Sequence, residues 1–180
     1  MGCSKFGENW DKSYEDMIVE AAYEAYEDAG IEQSRIEAAW LGTVYGWSGF
    51  SLATALQLYG IPITRVENQC ATALEALRNA VFGVACGMYD VVLALGVEKS
   101  KDTGYGALGW AQLSDNMGAM VPQFTSPGAF GLPAMRYFYK YGATKEHLAK
   151  IAVKNHHNGT LSPKAHFQRE VTLEQVMKAP

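Results

Sequence analysis

The feature that most constrains the fold is a segment, residues 70–86, that is apolar on nearly every side when it is drawn as a helix. Within it only Glu75, Arg78 and Asn79 are clearly polar. A helix that lacks a polar face has to be covered on most sides, so we expect this one to lie between the layers of a larger fold. Its apolar residues are Ala71, Ala73, Leu74, Ala76, Leu77, Ala80, Val81, Phe82, Val84 and Ala85.

The segments around this helix have the patterns of strands that alternate with helices. Residues 90–97 form a β-branched apolar run, which is typical of a strand buried on both faces. Ser13, with Asp16 three residues later, predicts the capped start of an amphipathic helix that Gly30 ends. Such alternation predicts an α/β layered fold. The predicted elements are helices over 13–29 and 51–59 and strands over 38–45, 63–67 and 90–97.

Residues 99–131 differ in character, because they are rich in Gly, Ser, Asp and Pro yet contain several aromatic side chains. A long segment without periodicity is usually functional or disordered, and the aromatic residues favour an ordered loop that covers a pocket. Beyond this loop we predict helices over 132–141, 144–157 and 172–178, with a turn at Asn158-Gly159.

Composition and charge exclude several classes of protein. The 180 residues are 48% hydrophobic and 19% charged, which excludes an intrinsically disordered chain. No apolar run is long enough to span a bilayer and no signal segment opens the chain, so we expect a cytoplasmic protein without a membrane partner. The first 90 residues carry thirteen acidic and five basic side chains, and the last 90 carry six and ten. The basic half lacks the charge density of a nucleic-acid-binding protein but suits a phosphorylated ligand.

The three cysteines differ in what their positions imply. An odd number without a CxxC pair argues against a disulfide framework and against a zinc site. Cys70 falls where a predicted strand passes into the apolar helix, near unpaired backbone N–H groups and the positive end of the helix dipole. Both favour the thiolate, so Cys70 is a candidate nucleophile, and a small buried hydrophobic residue is the alternative interpretation. Cys86 fits that alternative, and Cys3 carries no signal.

Other candidate sites carry weaker signals. Residues 104–109 spell GxGxxG, but no clear strand precedes them, which argues against a dinucleotide-binding fold. The adjacent His156 and His157 are best interpreted as a polar helix end. Glu98 and Asp102 are either a carboxylate pair at a strand end or part of a solvated loop.

Several motifs, in the same order along the chain, resemble those of one enzyme family. The segment VENQCAT at 66–72 resembles the nucleophile segment of thiolases, and DVVLALGVEK at 90–99 resembles the central strand that follows it. The chain resembles the N-terminal half of a thiolase, closest to the sterol-carrier-protein type and its bacterial and archaeal acetyl-CoA acetyltransferase relatives. Further matching segments are SKFGE at 4–8, YGATKEHLA at 141–149, VKNHHNG at 153–159 and PKAHF at 163–167.

The resemblance implies a thiolase-like layered α/β fold. We expect this chain to hold its N-terminal half, with a mixed sheet, a buried nucleophile helix and an excursion into a loop domain. Residues 1–98 would form the N-terminal α/β core without its first strand, and residues 99–180 the loop domain and the start of the next segment. The C-terminal half, which carries the family's catalytic histidines and a second cysteine, is expected to be absent.

The chemistry that the resemblance implies is acyl transfer to or from coenzyme A (CoA). Cys70 would attack an acyl-CoA thioester, the substrate, to form an acyl-cysteine, with neither a covalently bound cofactor nor a metal. Thr72 and Ala73 stand where the family usually has Ser-Gly. We expect the chain alone to be inactive and to associate as a homo-oligomer or with a complementary C-terminal half. The alternatives are a non-catalytic acyl-CoA-binding or scaffold subunit of a hetero-oligomer, and a thiolase-like retro-aldolase acting on a CoA-linked side chain.

Overall fold

Residues 1–103 and 126–179 are described by a computed structural model of the protein, and they fall into two units. The first unit is formed by Met1–Ser4 and Glu8–Thr103, and the second by Lys5–Gly7 with residues 126–179. The expected division into residues 1–98 and 99–180 stays a prediction. Most of the predicted loop over 99–131 lies outside the described residues.

The first unit alternates helices with strands around one sheet. In chain order its elements are α1 (Tyr14–Ala29), β1 (Ala38–Gly42), α2 (Phe50–Leu56), β2 (Ile63–Val66), α3 (Thr72–Ala85) and β3 (Val92–Gly96). The strands are parallel, in the order β2-β1-β3, because a helix follows each of the first two strands and returns the chain to the same edge of the sheet. The predicted α/β class is confirmed, whereas the predicted mixed sheet is wrong for the described residues.

The strands are shorter than the sequence predicts, because side chains turn the backbone at their ends. β1 ends at Gly42, since the hydroxyl of Thr43 accepts a hydrogen bond from the N–H of Gly46 (2.9 Å). β3 begins two residues late, since the Glu37 carboxylate accepts the N–H groups of the two residues before it (2.5 and 3.3 Å). β3 buries two side chains and leaves its other residues partly or fully exposed, so it is not covered on both faces as predicted.

The helix bounds follow from their caps. Ser13 Oγ accepts from the Asp16 N–H (3.0 Å) and the Asp16 carboxylate accepts from the Ser13 N–H (2.8 Å), which confirms the capping box that starts α1. Gly30 ends α1 with a φ of 63°. α2 ends a turn before the predicted boundary, because Gln57 takes a left-handed φ of 54°. The buried face of α1 packs into the core through Met17, Ile18, Ala22 and Tyr26.

Within the described residues, α3 has one buried face and one exposed face. Ala76 and Ala80 are buried, on the side of the helix that packs against β1 and β3. The expectation of a helix covered on most sides is therefore wrong here, because the sheet covers a single side. Cys86 is exposed at the C-terminal end of α3, which corrects its interpretation as a buried residue. The exposed apolar side chains, which we call the outer face of α3, are Leu74, Leu77, Val81, Phe82 and Val84.

The second unit contains the helices α4 (Ser126–Tyr141), α5 (Lys145–Thr160) and α6 (Leu173–Lys178) among its described residues. α4 begins before the predicted start at residue 132 and includes Pro133. α5 continues through Asn158-Gly159, where the sequence predicts a turn. A Cβ on Gly159 would lie 2.7 Å from the carbonyl oxygen of Phe167, so this glycine permits a close approach of two backbones instead of a turn. In residues 1–103 and 126–179, no helix has the length and apolar content needed to cross a membrane.

Candidate functional site

Cys70 lies in the short connection between β2 and α3, residues 67–72, which we call the elbow. A 3-10 turn, Gln69–Ala71, contains the cysteine, and α3 begins directly after that turn. Gln69 has a φ of 50°, a left-handed conformation. Residues other than glycine adopt it rarely, at a cost of about 1–2 kcal/mol. The strained residue therefore directly precedes Cys70, whose side chain is exposed.

The Thr72 hydroxyl holds the elbow in this conformation. Its Oγ1 accepts from the N–H of Asn68 (2.8 Å) and donates to the carbonyl oxygen of Gln69 (2.6 Å). Thr72 is only 6% exposed, so its hydroxyl bonds are shielded from water, and the Gln69 carbonyl also accepts the backbone N–H of Thr72. The N–H of Gln69 also donates to Glu67 Oε1 (2.6 Å). The elbow is thus closed by its own side chains.

The first turn of α3 offers backbone N–H groups without a side-chain cap. Ala71 occupies the N-cap position, where its methyl group cannot accept a hydrogen bond. The N–H groups of the first turn and the positive end of the helix dipole therefore adjoin Cys70. Glu75, in the same turn, accepts a hydrogen bond from Arg78 Nε (3.0 Å), which lowers the pKa of its carboxyl. The guanidinium offsets the negative charge of this glutamate.

Two glycines support the start of α3, and we call them the glycine seat. Gly42 and Gly96 end neighbouring strands and are paired in register. A Cβ on Gly42 would lie 2.9 Å from the carbonyl oxygen of Thr72, and a Cβ on Gly96 would lie 2.7 Å from Ala73 Cβ. The helix approaches the sheet this closely because neither strand carries a side chain at its end. The position of the elbow is therefore set by the ends of β1 and β3.

The same ends of the sheet carry a hydrogen-bonded cluster. Thr43 is fully buried, and its hydroxyl donates to Glu98 Oε1 (2.9 Å) while accepting from the hydroxyl of Tyr14 (3.0 Å). The N–H of Val44 donates to the same oxygen of Glu98. Burial raises the pKa of Tyr14, so its hydroxyl stays neutral and able to donate at physiological pH.

The remaining candidates from the sequence have other partners. Asp102 pairs with Lys99 (2.7 Å), whereas Glu98 binds the turn after β1, so the two carboxylates do not form a pair. His156 and His157 lie in the last part of α5, and each places a ring nitrogen within 3.1 Å of an oxygen in the chain that follows the helix. That position agrees with the interpretation of a polar helix end. The GxGxxG sequence at 104–109 lies outside the described residues.

Cys70 has no histidine near it in sequence, since residues 1–103 contain none. Within residues 1–103 and 126–179, no three His, Cys, Asp or Glu side chains are grouped so that they could hold a metal ion. Sequence reasoning missed the glycine seat and the hydrogen bonds by which the Thr72 hydroxyl holds the elbow. A signal for the seat exists, because Leu-Gly ends both β1 and β3 and adjacent parallel strands place such ends side by side.

Known proteins are similar to this chain in sequence and in fold. The family model described as "Thiolase, N-terminal domain" matches residues 1–178. The chain is 39% identical to the acetyl-CoA acetyltransferase of Methanothermobacter thermautotrophicus, over 98% of this chain and 48% of that protein. It is 35% identical to sterol carrier protein 2 of Bos taurus, over 93% of this chain and 33% of that protein. The chain spans about half the length of the curated acetyltransferases that it matches.

A solved structure supports the same assignment. The Ltp2-ChsH2(DUF35) aldolase matches 99% of this chain and 47% of its own, with a TM-score of 0.80 and 25% identity. The resemblance inferred from the motifs and the thiolase-like layered fold are both confirmed. The chain belongs to the thiolase family and corresponds to its N-terminal domain.

Proposed function

We propose that this chain takes part in acyl transfer to or from CoA, with Cys70 as the nucleophile. The observation that carries the proposal is the elbow, where Cys70 is exposed beside the uncapped start of α3. Backbone N–H groups and the helix dipole favour the thiolate at such a place, and the thiolate is the form that attacks a carbonyl. The acetyl-CoA acetyltransferase relatives support acyl-CoA as the substrate class.

The proposed reaction begins with a bond between the Cys70 sulfur and the carbonyl carbon of the acyl-CoA thioester. The bond from that carbon to the CoA sulfur then breaks, and CoA leaves as a thiol after taking up one proton. The acyl group stays on Cys70 until the thiol of CoA, or the deprotonated α-carbon of a second acyl-CoA, attacks it. The second step needs a general base, a role that no histidine within residues 1–103 can supply.

We infer that a further protein surface completes the site. The outer face of α3 supports this inference, because large apolar side chains such as Phe82 (55% exposed) have only partial cover within the described first unit. A complementary C-terminal thiolase half or a second copy of the chain would supply that cover. We therefore expect the chain alone to form an acyl-cysteine without sustained turnover.

A retro-aldol cleavage of a CoA-linked side chain is the second candidate function. The structural similarity to the Ltp2-ChsH2(DUF35) aldolase favours it. Such a cleavage needs a base that removes a hydroxyl proton and a carbonyl group that accepts the electrons of the breaking carbon–carbon bond, but it needs no thiol. The placement of Cys70 at the elbow therefore favours acyl transfer.

Incubation of the chain with acetyl-CoA, followed by mass spectrometry of tryptic peptides, tests this proposal. Cleavage after Arg65, Arg78 and Lys99 places Cys70 and Cys86 on separate peptides. We expect an acetyl group on the Cys70 peptide, its loss in Cys70→Ala and its retention in the matched control Cys86→Ala. A Cys70 peptide that stays unmodified, or equal acetylation of both cysteines, would overturn the proposal. Aldol cleavage that survives in Cys70→Ala would establish the second candidate instead.

A further inference from the structure

We propose that Glu98 is a positioning residue for Cys70, which it serves by fixing the turn after β1 and with it the glycine seat of the elbow. The inference rests on the proposed function, because it assigns to Glu98 a part in the reactivity of Cys70. Glu98 is not in the elbow, and its hydrogen bonds to Thr43 and Val44 join it to the turn after β1 and not to the cysteine.

The bonds of Glu98 join two neighbouring strand ends just beyond the seat. Glu98 comes two residues after Gly96, and Thr43 comes directly after Gly42. The Thr43 hydroxyl (2.9 Å) and the N–H of Val44 both donate to Oε1 of Glu98. Thr43 is fully buried, whereas Glu98 is exposed, so the bond between them is partly buried. These hydrogen bonds therefore restrain the distance between Gly42 and Gly96 at the C-terminal ends of β1 and β3.

A cation holds the other side of the same turn. Arg65 Nη2 donates to the carbonyl oxygen of Val44 (2.9 Å), so Val44 has its N–H bound by a carboxylate and its carbonyl bound by a guanidinium. Hydrogen bonds to side chains from two neighbouring segments therefore hold this turn. Arg65 lies on β2, the strand that runs directly into the elbow. The turn thus connects all three strand ends at the edge where Cys70 lies.

The elbow has little tolerance for movement of these strand ends. Ala73 rests against Gly96 and the Thr72 carbonyl rests against Gly42, without a side chain between the backbones that could absorb a shift. A change in the spacing of β1 and β3 would therefore move the start of α3, and with it the N–H groups that adjoin Cys70. We therefore expect loss of the Glu98 hydrogen bonds to lower the reactivity of Cys70 by displacing the start of α3.

The geometry predicts that Gln at position 98 preserves the reactivity of Cys70 better than Asp does. One oxygen of Glu98 accepts both hydrogen bonds, so the amide oxygen of Glu98→Gln can take its place without the negative charge. Glu98→Asp keeps the charge but is one methylene shorter and loses the reach. A positioning role therefore predicts that Gln is tolerated and Asp is not, whereas a purely electrostatic role predicts the reverse.

The test compares iodoacetamide alkylation rates of Cys70 and Cys86 in the full chain. We expect Glu98→Asp and Glu98→Ala to lower the ratio of the Cys70 rate to the Cys86 rate by about three- to tenfold. Glu98→Gln and the control Asp102→Asn, which alters the neighbouring carboxylate, should stay within about twofold of the unmodified chain. If Glu98→Ala does not fold, the Asp and Gln variants carry the test.

An unchanged ratio in Glu98→Asp, an equal loss in Glu98→Gln, or a parallel change at both cysteines would overturn the positioning role. The ratio of the Cys70 rate to the Cys86 rate in the unmodified chain distinguishes a failure of the positioning role from a failure of the proposed function. If Cys70 does not react faster than Cys86 there, the proposed function fails and the inference falls with it. If that preference exists but survives in Glu98→Asp, the positioning role alone is wrong.

Discussion

A methyl group added to Gly96 would lie 2.7 Å from the Cβ of Ala73, closer than two such carbons approach in folded proteins. Ala73 follows Thr72 in the first turn of α3, two residues after the elbow cysteine's neighbour Ala71. The close contact of helix and sheet beside Cys70 depends on this glycine at the end of β3. The methyl group of Ala73 is thus accommodated because Gly96, across the contact, has no side chain.

Gly96→Ala should destabilise the protein by about 1–3 kcal/mol, because the added methyl group forces α3 away from the sheet. Adding Ala73→Gly should recover part of that loss, since it removes the opposing carbon. Urea denaturation of the single and double variants measures this coupling. Gly7→Ala is the control, because a Cβ there would meet no atom within 4 Å. Strictly additive effects of the two changes would contradict the contact.

Thr72→Val should cost about 1–3 kcal/mol, because it leaves the Asn68 N–H without its shielded acceptor and removes one of the two donors to the Gln69 carbonyl. Thr72→Ser keeps the hydroxyl and should retain most of the stability. The control is Thr54→Val, since the Thr54 hydroxyl bonds to the carbonyl of Phe50 at an exposed site. Urea midpoints of the three variants give the comparison. Equal losses in Thr72→Val and Thr54→Val would show that the elbow does not depend on the hydrogen bonds of the Thr72 hydroxyl.

Asp16 should make stability depend on pH through the capping box of α1. Hydrogen bonds from Ser13 lower the pKa of Asp16 below its ordinary value of 3.8, so the folded chain favours the charged carboxylate. The resulting stabilisation is complete above that ordinary pKa and is lost as the pH falls through the lowered folded value. Asp16→Asn should therefore reduce the free energy of unfolding at neutral pH and make a smaller difference in acid.

Urea denaturation at neutral pH and at a pH below 3.8 measures the free energy of unfolding of Asp16→Asn and of the unmodified chain. Asp11→Asn, outside the capping box, is the control. A difference between Asp16→Asn and the unmodified chain that stays constant from neutral pH to acid would contradict the linkage.

The outer face of α3 should drive association of the isolated chain. Val81 is 52% exposed within this apolar face, and Val81→Lys would place a charge at its centre. We expect size-exclusion chromatography with light scattering to show oligomers of the unmodified chain and a shift towards monomer in Val81→Lys. Tyr59→Lys, at a side chain that is 72% exposed outside α3, should leave the distribution unchanged. A lasting monomer of the unmodified chain would contradict the proposed role of this face.

Elements with strong local signals could be predicted from the sequence. α1 has a capping box at one end and a glycine at the other, and both lie within a few residues of the helix that they bound. The order of strands and helices in the first unit also follows from local patterns. Cys70 could be placed at the junction of β2 and α3 for the same reason, although the left-handed φ of Gln69 has no sequence signature.

Features that depend on distant residues could not be predicted. The glycine seat arises from the register of β1 and β3, and Glu98 finds its partner 55 residues away at Thr43. The sequence predicts a turn at Asn158-Gly159, but contact of Gly159 with the backbone of Phe167 explains that glycine within a helix. In each case a tertiary contact decides what the local pattern leaves open.

The most direct test of the account is the relative rate at which iodoacetamide alkylates Cys70 and Cys86 at neutral pH. Both side chains are exposed in the described structure, so accessibility alone does not favour either one. Stabilisation of the Cys70 thiolate by the start of α3 predicts that Cys70 reacts about tenfold faster in the folded chain. The two rates should converge when the chain is unfolded in urea. Equal or slower alkylation of Cys70 in the folded chain would contradict its role as the activated nucleophile.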